Sequence, residues 1–237
     1  MRTAKWVTGC LLAGCLCAAS PAACQDDDFT RLRRQMVERQ LAPRDITDER
    51  VLEAMAAVPR HLFVDPVYRH LAYADHPLPI GDDQTISQPY IVALMTQLLE
   101  PEPEEKILEI GTGSGYQAAV LAHLGAEVFS VEIIRGLAEK AGAVLAELGY
   151  DRAHVKWSDG TDGWEEEAPF DKAIITCATA EVPPSIFRQV REGGRIVLPL
   201  GNPTTYQTLC VITKRDGKPQ TERILSVRFV PMTTKKR

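Results

Sequence analysis

The sequence predicts an α/β fold: a doubly wound, mostly parallel sheet, with extra N-terminal helices and an antiparallel strand pair at the C-terminal end. Three observations carry this. After Pro101 and Pro103, short apolar runs alternate with longer helical stretches, the pattern of a parallel sheet covered on both faces. One strand candidate runs straight into Gly111-Thr112-Gly113-Ser114-Gly115, a glycine-rich turn that opens a helix. Two late strand candidates flank Asp216-Gly217, the dipeptide of a tight hairpin.

The first 24 residues stand apart from the rest. They hold Arg2 and Lys5 and no acid, then an apolar stretch of small residues, then the polar Gln25-Asp26-Asp27-Asp28. That order is the order of a secretory leader. Leu12-Ala13-Gly14-Cys15 resembles a bacterial lipobox, which makes Cys15 a candidate lipid anchor. Met36 is an alternative start. The expected organisation is a leader over 1–24 and a single domain over 25–237. Export to the periplasm follows if the leader is used, and a cytoplasmic location if it is not.

Residues 29–58 read as two helices. The second is rich in helix formers, with Thr47 as the expected N-cap and Pro59 as the stop. Residues 60–84 carry Pro66, Pro77, Pro79 and Gly81 and read as irregular. Ile91, Leu94, Met95, Leu98 and Leu99 recur at helical spacing and define a helix with one buried face. Ser87 is its expected N-cap, and Pro89 fits in the first turn. Strands are expected at 106–110, 127–131, 154–157, 172–176 and 195–199, with helices at 116–124, 135–148 and 185–191. The closing strand pair is expected at 207–214 and 223–230.

Composition excludes several classes. Lys+Arg number 27 against 32 Asp+Glu, a net charge of -5, which argues against a nucleic-acid partner. No apolar run reaches the roughly 18 residues of a membrane span. The five histidines are scattered without ligand spacing, so no metal site is expected. Four of the six cysteines lie in the leader; the other two, Cys177 and Cys210, are expected as reduced core thiols.

The glycine turn points to a ligand. Gly111, Gly113 and Gly115 are spaced G-x-G-x-G, whereas dinucleotide sites prefer G-x-G-x-x-G around a pyrophosphate. Glu109 precedes the turn by two residues; a carboxylate there repels a pyrophosphate and suits an ammonium group. Glu132 ends the next strand, where a carboxylate binds two ribose hydroxyls. Asp159-Gly160 follows the third strand, where an adenine contact is expected. Together these features favour S-adenosyl-L-methionine over NAD.

Several segments resemble one family. Gln84-Thr85-Ile86-Ser87-Gln88-Pro89, Leu108-Glu109-Ile110-Gly111-Thr112-Gly113-Ser114-Gly115-Tyr116, Ser130-Val131-Glu132 and Gly193-Gly194-Arg195-Ile196-Val197 resemble the protein-L-isoaspartate (D-aspartate) O-methyltransferases. Val58-Pro59-Arg60-His61-Leu62-Phe63 and Leu78-Pro79-Ile80-Gly81 fit as well. The likeness spans about residues 36–232. It implies a Rossmann-like, S-adenosylmethionine-dependent enzyme. The activity implied is methylation of the free α-carboxyl of L-isoaspartyl residues, or of the D-aspartyl side chain, in damaged proteins. The ester then collapses to a succinimide, which begins repair. The resemblance matches the family's active-site serine to Ser87 and puts Gln84, Thr85 and Ile86 on the same wall. A monomer is expected. Asp82-Asp83 and Cys177 depart from the family's usual residues, as does the leader, because the family is usually cytosolic.

An ionised carboxylate attacking an activated methyl needs no general base, so catalysis rests on proximity and alignment. Ser87 is thus expected both to cap its helix and to donate to the substrate carboxylate. Two alternatives stand beside this reading. One is an NAD-dependent oxidoreductase; the other is an exported binding protein that kept the fold without catalysis.

Overall fold

The computed structural model describes residues 21–234. Cys15 and the leader up to residue 20 lie outside that range. Helix α1 (Pro21–Met36) continues into a π-helical turn, Val37–Leu41. Helix α2 (Glu49–Ala57) follows, and its N-cap is Asp48, whose carboxylate accepts from the Arg50 amide at 2.9 Å. Thr47, the expected cap, has another role: its amide and that of Asp48 both donate to Gln97 Oε1, at 2.7 and 2.9 Å.

The segment expected to be irregular is ordered. Short 3-10 turns span Arg60–Leu62 and Pro66–Leu71. A small hairpin then pairs β1 (Leu78–Gly81) with β2 (Gln84–Ile86). These strands are too short, and too close to Pro77 and Pro79, to show a period in the sequence. Helix α3 (Pro89–Leu99) starts one residue later than the cap reading requires. Proline is favoured at the first helical position, which makes Gln88 the N-cap and places Ser87 outside the helix.

The main sheet has the order β5-β4-β3-β6-β7-β8-β9. Its strands are β3 (Lys106–Ile110), β4 (Glu127–Glu132), β5 (Ala153–Trp157), β6 (Phe170–Ile175), β7 (Val190–Gly201), β8 (Gln207–Arg215) and β9 (Lys218–Val227). Pairing is parallel from β5 to β7 and antiparallel from β7 to β9. Helices α4 (Tyr116–His123), α5 (Arg135–Glu147) and α6 (Pro184–Gln189) make the crossovers. Strand β7 starts five residues before the expected 195, so α6 ends at Gln189 rather than 191. The last pair starts at Gln207 as expected, but its second strand starts five residues before 223, because β9 begins directly after the turn at Asp216-Gly217.

Strands β3, β4, β6 and β7 each serve two cores. Ile107, Val128 and Ile174 face the helices α1 to α5, whereas Leu108, Phe129 and Ala173 face the opposite cluster around Phe170 and Ile186. Burial on both faces is why these strands read as continuous apolar runs rather than alternating ones. Leu108 is fully buried, and its truncation to Ala is of the class that costs about 2–5 kcal/mol.

Two tight hairpins use left-handed turn residues. Asp216 (φ 52°) and Gly217 (φ 68°) form the favoured pair, with glycine second. The β1–β2 turn has Asp82 (φ 51°) and Asp83 (φ 57°), and both are exposed. Aspartate tolerates this region better than most residues, but glycine adopts it without steric cost. Asp83→Gly is therefore expected to raise the melting temperature by a few degrees, the equivalent of about 0.5–1 kcal/mol, and Asp83→Val to lower it. Thermal melts of the two variants beside the parent check this; a Val variant as stable as the Gly variant contradicts it.

Candidate active site

Strand order reverses at β3. From β3 the chain steps out to β4 and β5, then returns to β6 on the other side. In such sheets ligands bind outside the carboxyl ends of the strands, at that switch point. A cleft lies there, with about 870 Å³ of empty space when its open mouth is included. Its floor comes from the turns after β3, β4, β5 and β6, and one wall is the segment Gln84–Ser87.

The glycine turn shapes the floor. Gly111 has φ 94° and donates its amide to Val131 O at 2.9 Å. A Cβ built on it would fall 2.6 Å from Thr176 Oγ1, so the loops after β3 and β6 meet across a gap only glycine leaves open. Thr176 Oγ1 also donates to Gly111 O at 2.6 Å, tying the two loops together. Gly115 (φ 87°) starts α4 and packs on Leu145 rather than facing the cleft.

Two carboxylates occupy this region in different ways. Glu132 ends β4 on the cleft wall, where Oε2 accepts from the Gly113 amide at 2.8 Å and Oε1 from the Ile134 amide at 2.9 Å. Each oxygen keeps a further lone pair for a ligand hydroxyl. Glu109, expected to meet a ligand ammonium, instead lies beneath the floor with 0 % exposure. The register Glu109↔Ser130 sets the serine beside it, and Ser130 Oγ donates to Glu109 Oε2 at 2.5 Å. Ser130 in turn shares a 2.5 Å hydrogen bond with Thr112, which lines the cleft. Burial pushes the Glu109 carboxyl up to about 8 despite the Ser130 bond, and Glu132 adds to the rise. Glu109 Oε1 has no hydrogen-bond partner among the described residues.

Ser87 presents a hydroxyl without a protein partner among the described residues. The expected cap bond is absent, because the residue sits before the N-cap and its carbonyl is held from behind by Arg60 at 2.7 Å. The hydroxyls of Thr85 and Thr233 share the cleft with it. No Lys or Arg lines the cleft among the described residues. A pyrophosphate would find no cation among these described lining residues.

The cleft brings together Gln84, Thr85, Ile86, Ser87, Gly111, Gly113, Glu132 and Gly160 from the expected set. Glu109, Gly115 and Asp159 are not on its walls. The Asp159 side chain caps the short turn Gly160–Asp162 instead, accepting from the Thr161 amide at 3.0 Å. Sequence reading missed Thr176 and the return of Val230–Thr233 over the cleft. That return is fixed by Ala178 donating to Val230 O and Met232 donating to Ala178 O, both at 2.8 Å. No local motif marks such a long-range pairing. Cys177 also lines the cleft; burial, reinforced by Glu132, pushes its thiol up to about 12.

The buried Glu109 has a pH signature. An acid raised in the folded state binds its proton more tightly there than in the unfolded chain. Its stabilising effect is complete below about pH 4.5 and is lost as pH rises towards 8. In the ligand-free protein, the stability of the parent relative to Glu109→Gln should fall by a few kcal/mol between about pH 5 and pH 8. Denaturant melts across that range check it, and parallel curves contradict it.

Comparison with known proteins agrees with this geometry. Residues 31–237 match the family model described as Protein-L-isoaspartate(D-aspartate) O-methyltransferase (PCMT). A protein-L-isoaspartate O-methyltransferase of Opitutus terrae is 52 % identical over 226 residues, covering 95 % of this chain and 97 % of that one. A protein-L-isoaspartate O-methyltransferase 2 of Shewanella sediminis is 53 % identical over 216 residues, covering 91 % and 88 %. A solved protein-L-isoaspartate O-methyltransferase superposes with TM-score 0.76 at 29 % identity over 84 % of this chain, which spans 65 % of that structure's length. A Plasmodium falciparum structure, in complex with S-adenosyl-L-homocysteine, gives TM-score 0.73 at 24 % identity, covering 85 % and 98 %. The chain belongs to the protein-L-isoaspartate (D-aspartate) O-methyltransferase family.

Proposed function

We propose that the cleft binds S-adenosyl-L-methionine against the glycine turn and Glu132, and an isoaspartyl carboxylate against Ser87. The activity is protein-L-isoaspartate O-methyl transfer, which initiates repair of damaged proteins. The observation that carries the site reading is the cleft's charge. It has a carboxylate, several hydroxyls and no cation among its described lining residues. Such a lining suits a ligand with positive charge and two ribose hydroxyls. The glycine cradle and the free lone pairs of Glu132 fit that ligand. S-adenosylmethionine, when bound, supplies a methyl already activated on a sulfonium. The oxidoreductase alternative finds no support in this lining, nor does the non-catalytic one in the family assignment.

The chain's own residues then have limited tasks. Glu132 orients the cofactor from β4 while the amides of Gly113 and Ile134 hold the carboxylate itself in place. Ser87 donates its unpartnered hydroxyl to one oxygen of the substrate carboxylate, leaving the other aimed at the methyl. Thr85 and Thr233 extend the polar wall around it. No proton moves in the transfer, so none of these groups acts as a base. Alignment and exclusion of water supply the rate. A monomeric enzyme is supported by the exposed large apolar side chains among the described residues, Val67, Trp157 and Tyr206, which lie on or beside three different elements.

Two measurements test this. Incubation with labelled S-adenosylmethionine and an isoaspartyl peptide, beside its normal aspartyl twin, should place base-labile label on the isoaspartyl peptide alone. Label on both peptides, or on neither, contradicts the substrate reading. Ser87→Ala should reduce kcat on the order of 10–100-fold while shifting stability by less than about 0.5 kcal/mol, because the hydroxyl has no bond to the described residues. Parallel losses of rate and melting temperature would sink the role given to Ser87.

A further inference from the structure

Arg60 is wholly buried, with 0 % exposure, immediately behind the segment that carries Ser87. Its Nε donates to Ala72 O at 2.8 Å and its Nη2 to Ser87 O at 2.7 Å. Its guanidinium carbon lies 4.9 Å from the centre of the Tyr116 ring. Tyr116 is the first residue of α4, directly after Gly115, and it lines the cleft. One planar group thus touches both sides of the site: the main chain of Ser87 and the ring that follows the glycine turn.

This cation is expensive. No carboxylate pairs with it, and Nη1 has no partner among the described residues. Burial lowers its pKa to about 10, with only Tyr116 and Tyr73 opposing, so it still carries its charge at neutral pH. An aliphatic side chain would fill a core position without that desolvation. Breaches of the packing rules concentrate where function requires them.

We propose that Arg60 is a positioning residue for methyl transfer, gripping the Ser87 carbonyl from behind so that the Ser87 hydroxyl is held at a fixed place opposite the glycine turn. The guanidinium suits this task because its donors form a rigid fork, and two of them are committed to carbonyls 15 residues apart in sequence, Ala72 and Ser87. The inference rests on the role given to Ser87.

The test is a double-mutant cycle between Arg60→Gln and Ser87→Ala in the full chain. Titration with S-adenosylhomocysteine measures cofactor-site affinity and the fraction of competent molecules. Arg60→Gln is expected to lower kcat on the isoaspartyl peptide on the order of 10–100-fold, with that affinity changed by less than about twofold. The double variant is expected to be no slower than Ser87→Ala alone, because both changes remove one function. A wild-type kcat in Arg60→Gln, or losses that multiply in the double variant, overturns the proposal and leaves the Ser87 reading intact. A wild-type kcat in Ser87→Ala overturns both, and does so visibly through that single variant. If Arg60→Gln does not fold, Arg60→Lys carries the same cycle: one nitrogen cannot serve both carbonyls as the fork does, so kcat falls at full cofactor stoichiometry, and an unchanged kcat is again decisive against the proposal.

Discussion

Strand β3 pairs in parallel on both flanks, with β4 on one side and β6 on the other, and this forces the chain ends beyond those strands apart. The turn after β3 leads to α4, and the turn after β6 leads away towards α6. The gap between them is the cleft. Its depth is set by backbone bonds rather than side chains: Gly111 donates to Val131 O and Thr176 donates to Ile110 O, each at 2.9 Å. Those two bonds continue the ladders one residue beyond β3 and one beyond β6, so the glycine turn leaves the sheet at a defined height. Everything attached to that edge, from Glu132 to Val230, inherits its position from this pairing.

The electrostatics follow from the same edge. Cross-strand register puts Ser130 beside Glu109 and so carries a hydrogen-bonded chain from a buried carboxyl to Thr112 at the cleft floor. Burial raises the Glu109 carboxyl to about 8, and the two hydroxyls of Ser130 and Thr112 stand between it and the cleft floor. Glu132, by contrast, is held on the wall by two backbone amides and faces the ligand space. The difference between the two acids is one of depth along parallel strands. Similarly the Arg60 guanidinium reaches Ser87 through its carbonyl from behind, and no cation stands among the described lining residues of the cleft.

Much of this was legible in the sequence where a local rule applied. Periodicity located α3, and the alternation after Pro103 located the sheet strands to within about five residues, because both signals need only neighbouring residues. The glycine turn and Glu132 were legible from spacing. The errors also have local causes. Thr47 and Ser87 both have the chemistry of caps, but Gln97 takes the Thr47 amide from 50 residues away and Pro89 shifts the helix start past Ser87. The β1–β2 hairpin was hidden because its strands have four and three residues.

By itself the sequence determined the fold class, the cofactor loop and the family, since these depend on residue types at short, regular intervals. Only the tertiary structure decided which of the marked residues face the ligand space. Glu109 and Asp159 carry the right chemistry at the right spacing but are turned into a buried pair and a turn cap. Val230–Thr233 carries no local signal and Arg60 is marked only as part of the family-like segment 58–63, yet one closes over the cleft and the other holds Ser87. The physical reason is that spacing along a chain records which side chains are near in sequence, whereas burial and hydrogen-bond partners are set by strand order and by contacts across 27 to 66 residues, as between Arg60 and Ser87 or Ile110 and Thr176.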